Sequence, residues 1–124
     1  MTSSPSHSLA DQLFHQATDL LACGDAAAAA DIFRNTLVAD PEHIESHHGL
    51  IRALGDSGQL EEAISAAKSL TALTPDDPLA HTSLSIALQR AGYNPEAEAA
   101  AGRARILEWK QQLASGPNES ASGE

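Results

Sequence analysis

Aromatic side chains are nearly missing: 124 residues hold one Trp, one Tyr and two Phe. A deep core built around large rings is therefore excluded, and the interior must be assembled from Leu, Ile and Ala. Each of these buries little area, at about 25 cal/mol per Å², so stability must come from helices approaching closely along a stack. Cysteine is limited to Cys23, which excludes an intrachain disulfide and removes the need for an oxidising compartment. Basic residues are scarce as well: 7 Lys and Arg against 17 Asp and Glu leave a net charge of -10. Most of that excess lies before residue 77, which argues against tracking a phosphate backbone, so no nucleic-acid partner is expected. Arg103, Arg105 and Lys110 read as a solvated face near a helix C-terminus. No apolar run approaches the ~20 residues of a membrane span. The opening MTSSPSHSLADQ has neither the basic nor the apolar region of an export signal, so no membrane partner and a cytoplasmic location are expected.

What is present is a period. Gly24, Gly58 and Gly92 lie 34 residues apart, each between two apolar helical stretches. Apolar residues recur at helical spacing, as in Leu50, Ile51 and Leu54 followed by Leu60, Ile64, Ala67 and Leu70. Each glycine stands where a helix ends in a left-handed residue. Asp40-Pro41 and Thr74-Pro75-Asp76-Asp77-Pro78 separate the units, with proline stopping one helix and Asp capping the next. Asn94-Pro95-Glu96 gives the last helix a similar start. The pattern predicts six helices over 8–23, 26–39, 43–57, 60–73, 78–91 and 94–114, and no strands. Residues 1–7 and 115–124 are too poor in apolar side chains to repay ordering and read as flexible tails. A generic up-and-down helical bundle is the alternative, but a bundle needs no common period in Gly, Ala and Pro.

Placed in one frame, the slots hold Leu13, Gln16, Ala17, Leu20, Ala29, Phe33 and Pro41 in the first unit. The second has His47, Leu50, Ile51, Leu54, Ala63, Ala67 and Pro75, and the third has His81, Leu84, Ser85, Leu88, Ala97 and Ala101. This resembles the tetratricopeptide repeat, a helix-turn-helix unit with the pattern W-x2-L-G-x2-Y, A-x3-F and P. The resemblance covers about residues 10 to 110. It implies an all-α solenoid of three antiparallel repeats, at about 10–43, 44–77 and 78–114. Gln16 and Ser85 depart from apolar or small slots. Trp109 stands in the last proline slot, so the last helix is expected to overrun.

The resemblance also implies a concave groove for a partner protein, lined one, five and eight positions after each first slot. Those residues are Phe14, Thr18 and Leu21; His48, Arg52 and Gly55; and Thr82, Ile86 and Gln89. Phe14 and Ile86 would be its apolar anchors, although packing between repeats explains Phe14, Leu21 and Ile86 equally well. Some family members clamp a terminal carboxylate with Lys, Arg and Asn on this face. Here Phe14, Thr18, Gly49, Leu79 and Ser83 stand there instead, so that clamp is not expected.

Chemistry finds few footholds. His43 and His47 are at metal-ligand spacing on one helical face, yet two ligands do not make a zinc site, and His47 shares its slot with His81. Glu61-Glu62 and Asp76-Asp77 fall near helix starts, where carboxylates suit the dipole. Cys23 reads as a small, partly buried, inert thiol. No nucleotide loop, nucleophile elbow or metalloprotease helix occurs, so neither catalysis nor a cofactor is expected. The expected function is a non-catalytic adaptor binding another protein. The rival is self-assembly: Ile106, Trp109 and Leu113 form a second apolar stripe on the last helix, which either folds back as an internal cap, the favoured reading, or pairs with another subunit to form a homo-oligomer.

Overall fold

The computed structural model describes the backbone of residues 5–115 and the side chains of residues 9–115. Six helices follow one another: α1 (Pro5–Ala22), α2 (Ala26–Ala39), α3 (Ile44–Asp56), α4 (Leu60–Leu73), α5 (Pro78–Arg90) and α6 (Asn94–Ser115). No strand occurs among the described residues. α2 and α4 have the expected bounds. α1 begins three residues before the expected start, taking residues 5–7 from the proposed N-terminal tail. The rest of that tail and residues 116–124 lie outside the described residues.

The three glycines do one job three times. Gly24, Gly58 and Gly92 have φ of 90, 83 and 90°, a left-handed conformation costly for any residue with a Cβ. At each one the next amide reaches back to the helix just ended: Asp25 to the Leu20 carbonyl, Gln59 to Leu54 and Tyr93 to Leu88, at 2.8–2.9 Å. This closes the helix with the six-to-one bond of a Schellman motif. Between repeats a second device recurs. The His47 ring contacts the Pro41 carbonyl at 2.8 Å and the His81 ring contacts the Pro75 carbonyl at 2.8 Å, both through Nε2. With Nε2 donating, the histidine in the first slot staples its helix to the turn before it. At the helix starts Asp25 and Asp77 are side-chain caps, accepting from the amides of Ala28 and Leu79.

Each helix packs on the next. In addition α3 approaches both α1 and α5, whereas α2, α4 and α6 make no comparable approach to one another. The first helices of the repeats therefore lie on the inside of the curve. Ala29, Ala63 and Ala97, in one slot of successive repeats, are all buried, as a close crossing within each hairpin requires. Phe33, Leu54 and Leu70 are the largest fully buried apolar side chains around that seam. Gly49 has a related role: a Cβ there would strike the Phe33 ring, so its absence lets α2 lie against α3. The departure at Ser85 is resolved by a hydrogen bond from its hydroxyl to the Ala97 carbonyl at 2.8 Å.

Two sequence expectations require correction, and a third is extended. Cys23 is exposed rather than partly buried, because it sits on the turn after α1. Glu61 and Glu62 lie in the first turn of α4, as expected, and also reach beyond it: Glu62 accepts from Arg34 of α2 at 2.8 Å, and Glu61 accepts from the Tyr93 hydroxyl at 2.7 Å. The favoured internal cap does not form. Ile106, Trp109 and Leu113 are 52, 60 and 60% exposed, because α6 continues past the start of α5, where Gln111 lies 3.5 Å from the Asp76 carbonyl.

Candidate functional site

Between α3 and α5, on the inside of the curve, lies a groove of about 350 Å³. Its apolar surface comes from Ile51 of α3, Leu60 and Ala63 at the start of α4, and Ile86 and Ala87 of α5. Ile86, one of the lining residues, is 50% exposed.

Polar ties join the two helices on either side of that apolar stretch. Toward the helix starts, His48 Nδ1 lies 2.8 Å from the Ser83 hydroxyl. Partial burial pushes the His48 ring below its ordinary pKa, with the Asp77 charge opposing that shift and His47 adding to it. The ring is therefore neutral at pH 7, and when Nδ1 accepts from Ser83 its proton sits on Nε2. Toward the helix ends, Arg90 donates to Asp56 Oδ1 at 3.0 Å, and Arg52 Nε lies 3.7 Å from Asp56 Oδ2. Gly55 makes this second tie possible, since a Cβ there would come within 2.5 Å of Arg90 Nη1. Eight residues separate His48 from Asp56, so the ties are roughly 12 Å apart along α3 at 1.5 Å per residue.

The expected groove residues divide. His48, Arg52, Gly55 and Ile86 line this groove together. Phe14 does not serve as an anchor there: it packs against the core with its ring 6.0 Å from Phe33 and 5.2 Å from His43. Leu21 likewise packs against the core. Thr18 is exposed and donates to the Phe14 carbonyl of its own helix at 2.8 Å. Thr82 and Gln89 lie outside the lining, since α5 presents Ser83, Ile86 and Arg90 instead, one position further along at two of the three sites.

Sequence reasoning missed Asp56 and Arg90, yet the repeat frame contained them. They stand 34 residues apart, in the slot nine after His47 and His81, which Ala22 fills in the first repeat. Opposite charges in one slot of adjacent repeats are the signal that was available.

The two candidate metal ligands have other partners. His43 contacts Asp11 through Nε2 at 3.2 Å and the Ser46 hydroxyl through Nδ1 at 2.8 Å, while His47 is held on the Pro41 carbonyl. No cluster of three potential metal-ligating side chains occurs among the described residues. The Asp11, His43 and Ser46 chain has the composition of a hydrolytic triad, but Ser46 is 0% exposed, so no substrate reaches its hydroxyl. It ties α1 to α3. No helix among the described residues is long and apolar enough to cross a membrane.

The tetratricopeptide repeat family pattern matches residues 20–86, more than half of the chain. Among solved structures, a crystal structure of MamA superposes with a TM-score of 0.76 at 18% identity, covering 84% of this chain and 61% of that one. The type III secretion translocator chaperone SycD of Yersinia enterocolitica, in an alternative dimer, gives 0.74 at 22%, covering 91% and 87%. MamA from residue 41 onward of Desulfovibrio magneticus RS-1 gives 0.69 at 21%, covering 79% and 55%. The chain thus spans less than two thirds of the MamA chains it resembles. Among curated proteins, none matches.

Proposed function

Because this chain belongs to the tetratricopeptide repeat family, we infer that it is a non-catalytic adaptor that holds a segment of another protein in the groove between α3 and α5. The observation that carries this reading is the half-exposed Ile86 beside Ile51 and Leu60, on the inside of the curve. A partner side chain covering the remaining half of Ile86 would gain roughly 1 kcal/mol from that contact alone. The groove is already shaped, because the His48–Ser83 and Asp56–Arg90 ties hold α3 and α5 before any partner arrives. Little ordering entropy is then lost on this side of the interface. A photocrosslinking amino acid at position 86 should capture a defined partner from cells, and the same group at position 38, where Val38 is 82% exposed on α2, should not. Equal capture from both positions defeats the groove.

A second reading rests on α6. Ile106, Trp109 and Leu113 form an exposed apolar stripe, and a stripe of this kind pairs with a second copy when the array assembles. Light scattering across a hundredfold range of concentration tests it. A constant monomer mass sinks self-assembly, whereas a dimer lost on Trp109→Ala supports it.

A further inference from the structure

We propose that the groove selects a partner segment carrying an aliphatic side chain and, within about one helical turn of it, an Asp or Glu side chain that sits on Arg52 and Arg90. This rests on the groove reading above and names the chemistry of its occupant.

The chain as a whole carries -10, yet at the Arg52 end of the groove two guanidiniums face a single carboxylate. Asp56 is shared: Arg90 takes Oδ1 at 3.0 Å, while Arg52 reaches Oδ2 only through Nε at 3.7 Å. Among the described residues the terminal nitrogens of Arg52 make no further hydrogen bond or ion pair, and its side chain is 74% exposed. One positive charge is thus left over beside an apolar surface. A carboxylate arriving there would meet the planar fork of Arg52 in the geometry that guanidinium groups favour.

The other end of the groove has the opposite bias. His48 is neutral, and the charge acting most strongly on it is that of Asp77. An acidic group is favoured at the Arg52 end, where the surplus positive charge lies. The apolar stretch between the ties is roughly 12 Å long, which accommodates one or two aliphatic side chains and not a long stripe. An aliphatic residue against Ile86 therefore places a carboxylate one turn away, within reach of Arg52.

The same charges exclude one occupant. The exposed apolar face of α6 from a second copy carries Arg103, Arg105 and Lys110 against Glu108, and would bring positive charge onto Arg52 and Arg90. A second copy entering by that face is disfavoured here.

The test is selection of a phage-displayed library of randomised twelve-residue peptides against the intact chain. Selected peptides, remade with blocked termini, are then titrated against the wild type, Ile86→Glu, Arg52→Glu and Asp56→Asn, with circular dichroism confirming the fold of each variant. Arg52 is exposed, so its reversal leaves the core untouched. The expected result is enrichment of an aliphatic residue with Asp or Glu within about four positions, loss of binding on Ile86→Glu and at least about fivefold weaker binding on Arg52→Glu. Asp56→Asn removes the competing charge while its amide oxygen can still accept from Arg90 and keep the tie to α5, so it should bind the same peptides more tightly. Peptides that Ile86→Glu abolishes but Arg52→Glu leaves unchanged overturn the acidic preference while leaving the groove standing. Peptides indifferent to Ile86→Glu, or a selection yielding none, overturn both.

Discussion

Gly49 and Gly55 sit in the same helix, and replacing each with alanine should have different consequences. Both substitutions remove the entropic penalty of a helical glycine, a gain of about 0.5–1 kcal/mol. At position 49 the new methyl would land on the Phe33 ring, with even the third-nearest ring atom 3.0 Å away. That ring is 1% exposed and packed against Phe14, so it has nowhere to turn. Overpacking of this kind costs about 1–3 kcal/mol, which leaves Gly49→Ala destabilised by up to about 2.5 kcal/mol, centred on roughly 1 kcal/mol, after the helical gain. At position 55 the obstacle is the guanidinium of Arg90, 2.5 Å away but at the end of a flexible side chain that is 40% exposed. Arg90 can swing out, forfeiting its contact with Asp56, a loss of about 0–1 kcal/mol at this exposure. The two effects cancel, and Gly55→Ala should match the wild type to within about 0.5 kcal/mol. Urea unfolding followed by circular dichroism measures the difference, provided the slope with denaturant is the same for all three proteins. Equal stabilities, or the larger loss at position 55, would refute the assignment of Gly49 to helix packing and Gly55 to the arginine.

Other outcomes follow from the same geometry. Ala63→Pro removes the amide that donates to the Gln59 carbonyl at 3.0 Å. It should cost about 3 kcal/mol or more, and an unaltered melting profile would contradict the start of α4. Trp109→Ala should change monomer stability by no more than about 0.5 kcal/mol, since the ring is 60% exposed; a large loss would mean that α6 does cap the array. His48 is held below its ordinary pKa in the folded chain, so the unfolded state takes up its proton first. Stability should therefore fall as pH drops below about 6.5 and level off below the folded pKa. Melting temperature across pH 5.5–7.5 should decline more steeply for the wild type than for His48→Gln, and identical slopes would remove His48 from the explanation.

The six helices were legible because each boundary is written locally: a glycine that alone tolerates positive φ, a proline that cannot continue a helix, an aspartate that caps one. Such features act within a few residues of themselves. The groove was only half legible for the opposite reason. Phe14, one position after the first slot like His48 and Thr82, was expected to be an anchor, but Phe33 and His43 draw its ring toward the core. Asp56 and Arg90 were overlooked because their meaning lies in the pairing of two repeats. The α6 stripe shows the same limit: its spacing marked an apolar face, and only the overrun of α6 past α5 showed that no described helix covers it.

By itself, then, the sequence determined the repeat, its length, the hairpin turns and the identity of the buried seam, since these follow from backbone chemistry and helical period. Tertiary structure alone decided that Gly49 admits a ring and Gly55 a guanidinium, that Phe14 turns inward, and that two arginines share one carboxylate beside Ile86. Those outcomes depend on the distance between helices of different repeats. That distance is set by how whole faces pack, and no single position in the chain encodes it.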